Sequence, residues 1–250
     1  MAFLANPDEE DENLPPCSAE TFFKNAPNSS TKISLKYTLG DITSPTFCVR
    51  FDFNDKYIAA GKGDGSIQIF NVFTGKQSYI LNENMDEPMP TTIVRWRPLN
   101  APGVTKNVMI ATNANGSLTH YHTTSGKQLN RIHDELNQLL TCDYKPDGHD
   151  FVTAGSDSVL RVYDEQTRQL KIELVGGANG EPGHSNRVFC AKYNPEDMNL
   201  IVSGGWDRCI KIWDTRTSDP IRSIQGPYIT GDAIDIHDGF ILTGSYSSDR

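Results

Sequence analysis

Hydrophobic and polar residues alternate in short runs along most of the chain. In residues 33–39, and again in residues 47–53, every second residue is apolar. A period of two is typical of β-strands that bury one face. No segment carries the apolar i, i+3, i+4, i+7 stripe over three turns that an amphipathic helix needs, and the best candidate, residues 134–140, is too short. The sequence therefore predicts an all-β fold of short strands and turns.

One pattern of turn and strand occurs four times. Each copy has a polar turn residue followed by an alternating strand that ends in an aromatic residue. The turn residues are Asp64, Asn115, Asp157 and Asp207, which lie 51, 42 and 50 residues apart. A period near 42 with two insertions predicts a repeated unit of several strands. We place the insertions in loops, at 82–90 with 100–106 and at 176–183, because loops absorb length at little free-energy cost.

The fourth copy resembles a WD repeat. Trp213-Asp214 ends its alternating strand, Asp207 lies in the preceding turn, and Gly183-His184 opens the unit. A WD repeat has roughly 40 to 45 residues and forms one four-stranded blade of a β-propeller. The resemblance covers about residues 32–250. It implies an all-β WD-repeat β-propeller with four complete blades and an unfinished fifth, as a partial ring of a seven-bladed propeller.

The fifth repeat reaches its turn residue only at Asp249, so its third strand is missing from the sequence. In the resembled family an N-terminal strand usually completes the last blade, and residues 33–39 resemble that strand. Two explanations stay open at this point. The chain is a truncated version of a longer protein, or something else completes its ring.

The resemblance also implies a hydrogen-bonded set that ties the strands of a blade together. Its members in the fourth repeat are His184, Ser203, Asp207 and Trp213. The third repeat has Asp134, Thr153, Asp157 and Tyr163 at these positions, and the first has Asp41, Ala60, Asp64 and Phe70. Because a buried indole N–H needs an acceptor, we expect the set to stabilise the fold and to take no part in catalysis.

A partner-binding face follows from the same resemblance. In WD-repeat proteins the residue before each turn residue, and two residues at the start of each blade's first strand, line the face where partners bind. The residue types that anchor protein interfaces are concentrated at four of these positions. They are Phe47, Arg187, Phe189 and Trp206.

Residues 1–31 differ in composition from the rest. They contain five consecutive acidic residues at 8–12, two adjacent prolines and a polar stretch at 25–31. Such a segment buries too little apolar surface to fold, so we expect a disordered acidic N-terminal tail before the propeller of residues 32–250.

Charge and hydropathy exclude several classes of partner. The formal net charge is -9 with a pI near 5.1, and no basic block occurs, which argues against direct binding of nucleic acid or an anionic lipid surface. No apolar run approaches the roughly 18 residues of a membrane span. The N-terminus has no basic region of a secretory signal, so we expect a cytoplasmic protein, with nuclear or cytoskeletal association left open.

Motifs for catalysis and cofactors are absent from the sequence. Gly75-Lys76 and Gly126-Lys127 lack the upstream glycine of a phosphate-binding loop. His120 and His122 share one face of a strand, but no third metal ligand is identifiable. The five cysteines are scattered without a Cys-x-x-Cys pair, which indicates reduced thiols. We therefore expect no enzyme activity, no cofactor and no metal.

The expected function is a non-enzymatic protein–protein interaction scaffold within a larger assembly. Cytoskeletal or ciliary, chromatin and RNA-processing complexes all remain open. The alternative is a substrate receptor of a cullin-type ubiquitin ligase. Residues 202–216 resemble the box with which such receptors dock on the propeller adaptor of the ligase, and the box positions here are Trp213, Asp214 and Arg216.

Overall fold

The computed structural model describes residues 35–40, 43–82, 89–103, 105–178 and 180–246. These residues form 18 β-strands, and no helix occurs among them. Consequently no helix in the described ranges is long and apolar enough to cross a membrane. The predicted tail and the last four residues lie outside the described residues.

Sixteen of the strands form four antiparallel sheets of four strands, each in the order of the chain. Blade 1 contains β1 (Thr46–Phe51), β2 (Tyr57–Lys62), β3 (Ile67–Asn71) and β4 (Gln77–Leu81). Blade 2 contains β5 (Thr91–Trp96), β6 (Val108–Asn113), β7 (Ser117–His122) and β8 (Lys127–His133). Blade 3 contains β9 (Leu139–Tyr144), β10 (Asp150–Gly155), β11 (Leu160–Asp164) and β12 (Leu170–Leu174). Blade 4 contains β13 (Val188–Tyr193), β14 (Leu200–Gly205), β15 (Cys209–Asp214) and β16 (Pro220–Gln225).

A two-stranded sheet of β17 (Ile234–His237) and β18 (Phe240–Thr243) follows blade 4. It provides the first two strands of blade 5. The prediction of an all-β fold with four complete blades and two strands of a fifth is thereby confirmed.

Four apolar clusters, one between each pair of successive blades, form the core. Each cluster combines alternate residues of one blade with the facing alternate residues of the next, as the period of two requires. Val94 and Met109 of blade 2 pack on Ile67 and Ile69 of blade 1. The same arrangement recurs at the other three boundaries. One cluster lies between blades 2 and 3, one between blades 3 and 4, and one between blade 4 and the β17–β18 sheet.

The two outermost faces of the sheet array lack this cover in the described structure. Val49 and Phe51 of β1 are 46% and 55% exposed, although they correspond in register to Val94 and Trp96 of blade 2. At the other end Phe240 and Leu242 of β18 are exposed. Residues 35–39 form no strand, and Tyr37 donates its hydroxyl to the carbonyl of Phe73 at 2.7 Å.

Charged side chains meet where the first strands of the blades converge. The buried Arg95 donates from Nε to Asp143 Oδ1 and from Nη2 to Asp232 Oδ2, each at 3.0 Å. Arg50 also contacts Asp232, and Lys192 lies 3.8 Å from it. This network neutralises charges that would otherwise be costly in a half-buried position, and it connects four blades to the segment before β17.

Candidate partner-binding face

A hydrogen-bond relay connects the four structural residues predicted in blade 4. His184 lies 2.7 Å from Asp207 Oδ2 through Nδ1 and 2.7 Å from Ser203 Oγ through Nε2. Trp213 donates from Nε1 to Ser203 Oγ at 2.8 Å. All four groups are satisfied if Nδ1 carries the imidazole proton and Ser203 donates to Nε2.

The relay affects the ionisation of its carboxylate. Burial tends to raise the pKa of Asp207, but the hydrogen bond from His184 and the backbone N–H groups of Ser185 and Cys209 outweigh it, and the pKa of Asp207 is lowered. Because Asp207 binds groups before and after the β14–β15 turn, it fixes the position of this turn and of Trp206 within it.

Blades 1 and 3 use different contacts at the equivalent turn. Asp157 accepts a hydrogen bond from Arg161 Nη1 at 2.5 Å, and the same nitrogen lies 3.5 Å from Asp134. Asp64 accepts hydrogen bonds from the backbone N–H and the hydroxyl of Ser66, within its own turn, and its own backbone N–H donates to Ser44 Oγ at 3.1 Å. Of these three blades, blade 4 alone has the complete relay within the described structure.

We call the end of the blades that carries the β2–β3, β6–β7, β10–β11 and β14–β15 turns the upper face. A cavity of about 530 Å³ opens there near the axis of the propeller. Six of its lining residues hold positions that the resemblance assigned to a partner-binding face. They are Phe47, Pro90, Thr92, Ala114, Leu140 and Phe189.

The predicted residues of blade 4 come together beside this cavity. The ring centroids of Phe189 and Trp206 are 5.1 Å apart, and the guanidinium carbon of Arg187 lies 5.6 Å from the Trp206 ring. Trp206 is 38% exposed, so it both packs on its neighbours and contributes to the surface. Phe47 lies apart from this group, on the blade 1 side of the same cavity.

Three further residues extend the group, and sequence reasoning missed them. Tyr228 stacks on Trp206 with centroids 6.3 Å apart and an interplanar angle of 13°, and Tyr246 lies 6.4 Å from Tyr228. The guanidinium carbon of Arg208 lies 5.7 Å from the Tyr228 ring. We call Phe189, Trp206, Tyr228 and Tyr246, with Arg187 and Arg208, the aromatic ladder. Arg208 could have been found from the sequence, because it directly follows the turn residue Asp207. The two tyrosines could not, because they lie in irregular segments outside the repeat.

The opposite end, the lower face, carries the residues of the possible ligase-adaptor box. Arg216 binds the carboxylate of Asp214 through Nε at 2.8 Å and Nη2 at 2.5 Å. These bonds lower the pKa of Asp214. The Arg216 side chain is 69% exposed, while Trp213 is fully buried in the relay. Of the three box residues, Arg216 is therefore the one available to a partner.

The two histidines considered as metal ligands have separate partners. His120 is buried and pairs through Nε2 with Glu165 Oε2 at 3.0 Å, and Glu165 also binds Arg97 at 3.2 Å. His122 contacts Ser125 Oγ at 2.6 Å. No cluster of three potential metal ligands occurs among the residues that the structure describes. The bond from blade 2 to Glu165 ties that blade to the β11–β12 turn of blade 3.

Cysteine side chains form no disulfide within the described part of the chain. Cys48, Cys142, Cys190 and Cys209 are free thiols, and Cys17 lies outside the described residues. Burial raises the pKa of Cys142 to about 12, so its thiol stays protonated and acts as a small apolar residue of the core.

Radial four-stranded blades, with a core between successive blades and a relay inside one of them, define a β-propeller. The family model described as "WD domain, G-beta repeat" matches residues 34–71 and 180–214, which include the first three strands of blades 1 and 4. The chain therefore contains WD repeats, as its fourth repeat predicted.

Two curated relatives agree with this assignment. The chain is 26% identical over 132 residues to a "Guanine nucleotide-binding protein subunit beta" of Arabidopsis thaliana, a match that covers 52% of the chain and 35% of that protein. It is 27% identical over 184 residues to a "LEC14B homolog" of Prunus armeniaca, a match that covers 70% of the chain and 37% of that protein. The matched region thus spans little more than a third of these relatives.

A solved structure shares the fold. A chain of the "Crystal Structure of Mitotic Checkpoint Complex" superimposes with a TM-score of 0.62 at 16% sequence identity. The superposition covers 77% of this chain and 55% of the other. At this identity the likeness concerns the fold alone.

Proposed function

We propose that this protein is a non-enzymatic interaction platform within a multiprotein assembly and that it binds its partner through the upper face. The observation that carries the proposal is the aromatic ladder. It brings Trp, Tyr, Phe and Arg, the residue types that dominate interface binding energy, together beside an apolar cavity.

The ladder sits on a rigid support. The relay fixes the β14–β15 turn, and the backbone N–H of Trp206 donates to the carbonyl of Arg187 at 3.0 Å. A partner would therefore meet side chains whose positions are already set, so that little conformational entropy is lost on binding. Repeat scaffolds of this kind use such surfaces for binding.

The test is affinity capture of the tagged full-length protein from its native cells, followed by identification of the bound proteins. We expect Trp206→Ala to lose its main partners, because truncation of an interface anchor costs roughly 2 kcal/mol or more of binding free energy. Ile221→Ala is a control, because Ile221 is exposed on β16, away from the upper face. Equal capture by wild type and Trp206→Ala, with unchanged folding, would refute the proposal.

The type of assembly is a further part of the proposal. Cytoskeletal or ciliary, chromatin and RNA-processing complexes fit the platform equally, and the partners identified by capture would choose among them. We also propose a cytoplasmic location, which imaging of the tagged protein would test.

A second candidate function is that of a substrate receptor of a cullin-type ubiquitin ligase. The observation in its favour is Arg216, which is exposed on the lower face and held by Asp214 with its Nη1 group free of that carboxylate. We expect Arg216→Ala to abolish binding to the propeller adaptor, while Trp206→Ala leaves it unchanged. Failure of the intact protein to bind the adaptor would eliminate this function.

A further inference from the structure

Both arginines of the aromatic ladder lack an acidic partner within the described structure. Arg187 donates from Nη1 to the side-chain oxygen of Gln138 at 2.7 Å, and each guanidinium otherwise lies against an aromatic ring. Asp207, the acidic residue between Trp206 and Arg208 in the sequence, is engaged by His184 at 2.7 Å. The ladder therefore presents two positive charges in a protein whose net charge is -9.

The arrangement of the rings selects against a cationic ligand. An aromatic cage for an ammonium group needs open ring faces. Here Arg187 lies over Trp206 and Arg208 over Tyr228, while the Trp206 and Tyr228 rings also stack on each other. A second cation at these rings would be repelled by the guanidinium groups. Carboxylates, in contrast, match the forked donors of arginine.

The cavity on the upper face supplies an adjacent apolar site. Phe189 belongs both to the ladder and to the cavity lining, so the two surfaces are continuous. Phe47 and Leu140 form other parts of the lining. The acidic residue in the cavity, Asp232, is already bound by Arg50 and Arg95, and so it does not set the charge of the site. The volume of about 530 Å³ accommodates a large side chain.

We propose that the ladder and the cavity together bind an acidic segment of a partner protein, with one bulky apolar side chain in the cavity and carboxylates on Arg187 and Arg208. This inference rests on the proposed function and names the chemistry of the partner. The alternative occupant, a single-stranded nucleic acid, needs open aromatic faces for base stacking, and the neighbouring rings and guanidinium groups cover these faces.

The test uses the full chain and four labelled probes. The first is a short peptide in which one phenylalanine lies between two runs of glutamate. The second and third replace every glutamate by glutamine or by lysine, and the fourth is a short oligo-uridine. We expect the glutamate peptide to bind with an affinity that falls as salt is added. The glutamine peptide should bind at least about ten-fold more weakly than the glutamate peptide.

Matched variants locate the binding. Arg187→Gln/Arg208→Gln removes both charges and keeps polar side chains of similar reach, and we expect it to weaken the glutamate peptide about ten-fold or more. Arg222→Gln makes the same change on an exposed part of β16 and should leave affinity unchanged. Absence of binding up to about 1 mM, equal or tighter binding of the lysine peptide or oligo-uridine, or indifference to the double variant would each overturn the inference.

The native capture experiment separates this inference from the proposed function. Partners lost by Trp206→Ala but kept by Arg187→Gln/Arg208→Gln would mean that the platform is correct and the acidic chemistry is wrong. Partners kept by both variants would refute the platform itself.

Discussion

Replacement of Ser203 by alanine tests the relay of blade 4 most directly, because two buried groups depend on one hydroxyl. Ser203 Oγ accepts from Trp213 Nε1 at 2.8 Å and lies 2.7 Å from His184 Nε2. Ser203 and Trp213 are fully buried, and the His184 ring is inaccessible. In Ser203→Ala both the indole N–H and the imidazole nitrogen lose their partner.

The expected cost follows from these two groups. A buried polar group without a partner costs about 1 to 3 kcal/mol, so two such groups should lower the free energy of unfolding by about 2 to 4 kcal/mol after partial relaxation. Ser117→Ala is the matched control. Ser117 is also buried, but among the residues that the structure describes its hydroxyl bonds only Asn115 Oδ1, at 2.7 Å, and that oxygen keeps its bond to the Ser117 backbone N–H. We expect a loss of about 1 kcal/mol there.

Hydrogen exchange measured by mass spectrometry reports the result blade by blade. Amides of β14 and β15 should exchange about a hundred-fold faster in Ser203→Ala, since each 1.4 kcal/mol corresponds to a factor of ten. Blade 1 should be unaffected. Equal losses of stability in Ser203→Ala and Ser117→Ala, or no change in exchange at β15, would refute the relay.

Three other results are expected. Burial lowers the pKa of His120 against the opposing effect of Glu165, so the contribution of His120 to stability is present above pH 6.5 and is lost as the pH falls below that value. His120→Leu should therefore reduce the loss of stability at low pH in pH-dependent melting, and an unchanged melting profile would contradict this expectation. Gly205→Ala places a Cβ 2.0 Å from the Arg187 carbonyl oxygen and should lower the free energy of unfolding in urea by more than about 2 kcal/mol. Gly231→Ala meets nothing within 4 Å and should be nearly neutral, and similar unfolding midpoints for the two variants would show that the backbone at Arg187 moves aside. Arg95→Met leaves the carboxylates of Asp143 and Asp232 without their shared partner and should lower stability by about 3 to 5 kcal/mol, while a thermal shift near zero would mean that the axial ion pairs contribute nothing.

The repeated strands could be predicted because the signal is local. The alternation within each strand depends only on neighbours in the sequence. The same is true of the polar turn residues before β3, β7, β11 and β15, and their number predicts the number of complete blades. The relay could be placed because the fourth repeat resembles a WD repeat, and the resemblance assigns Ser203 and Trp213 to its hydrogen-bonded set. The bond between Trp213 and Ser203 needs only the register of β14 and β15, which the repeat already sets.

The tyrosines of the ladder could not be predicted, because their positions depend on the path of irregular segments. Tyr228 follows the last strand of blade 4, and Tyr246 follows β18, so neither holds a repeat position. The same holds for the buried pair of His120 and Glu165, which lie 45 residues apart and meet only when blades 2 and 3 pack. Contacts between blades carry no periodic signal in one sequence.

Blade 4 contains the complete relay and most of the aromatic ladder, and the β14–β15 turn belongs to both. Asp207 binds His184 and the backbone N–H of Cys209, so it fixes the turn that holds Trp206 and Arg208. An interface anchor whose orientation is set before the partner arrives loses less conformational entropy on binding and therefore binds more tightly. Loss of the relay should therefore weaken partner binding even though the relay residues are not part of the aromatic ladder. In Ser203→Ala we expect a partial loss of captured partner at a temperature where the chain is still folded, and full retention would show that the turn is held by its strands alone.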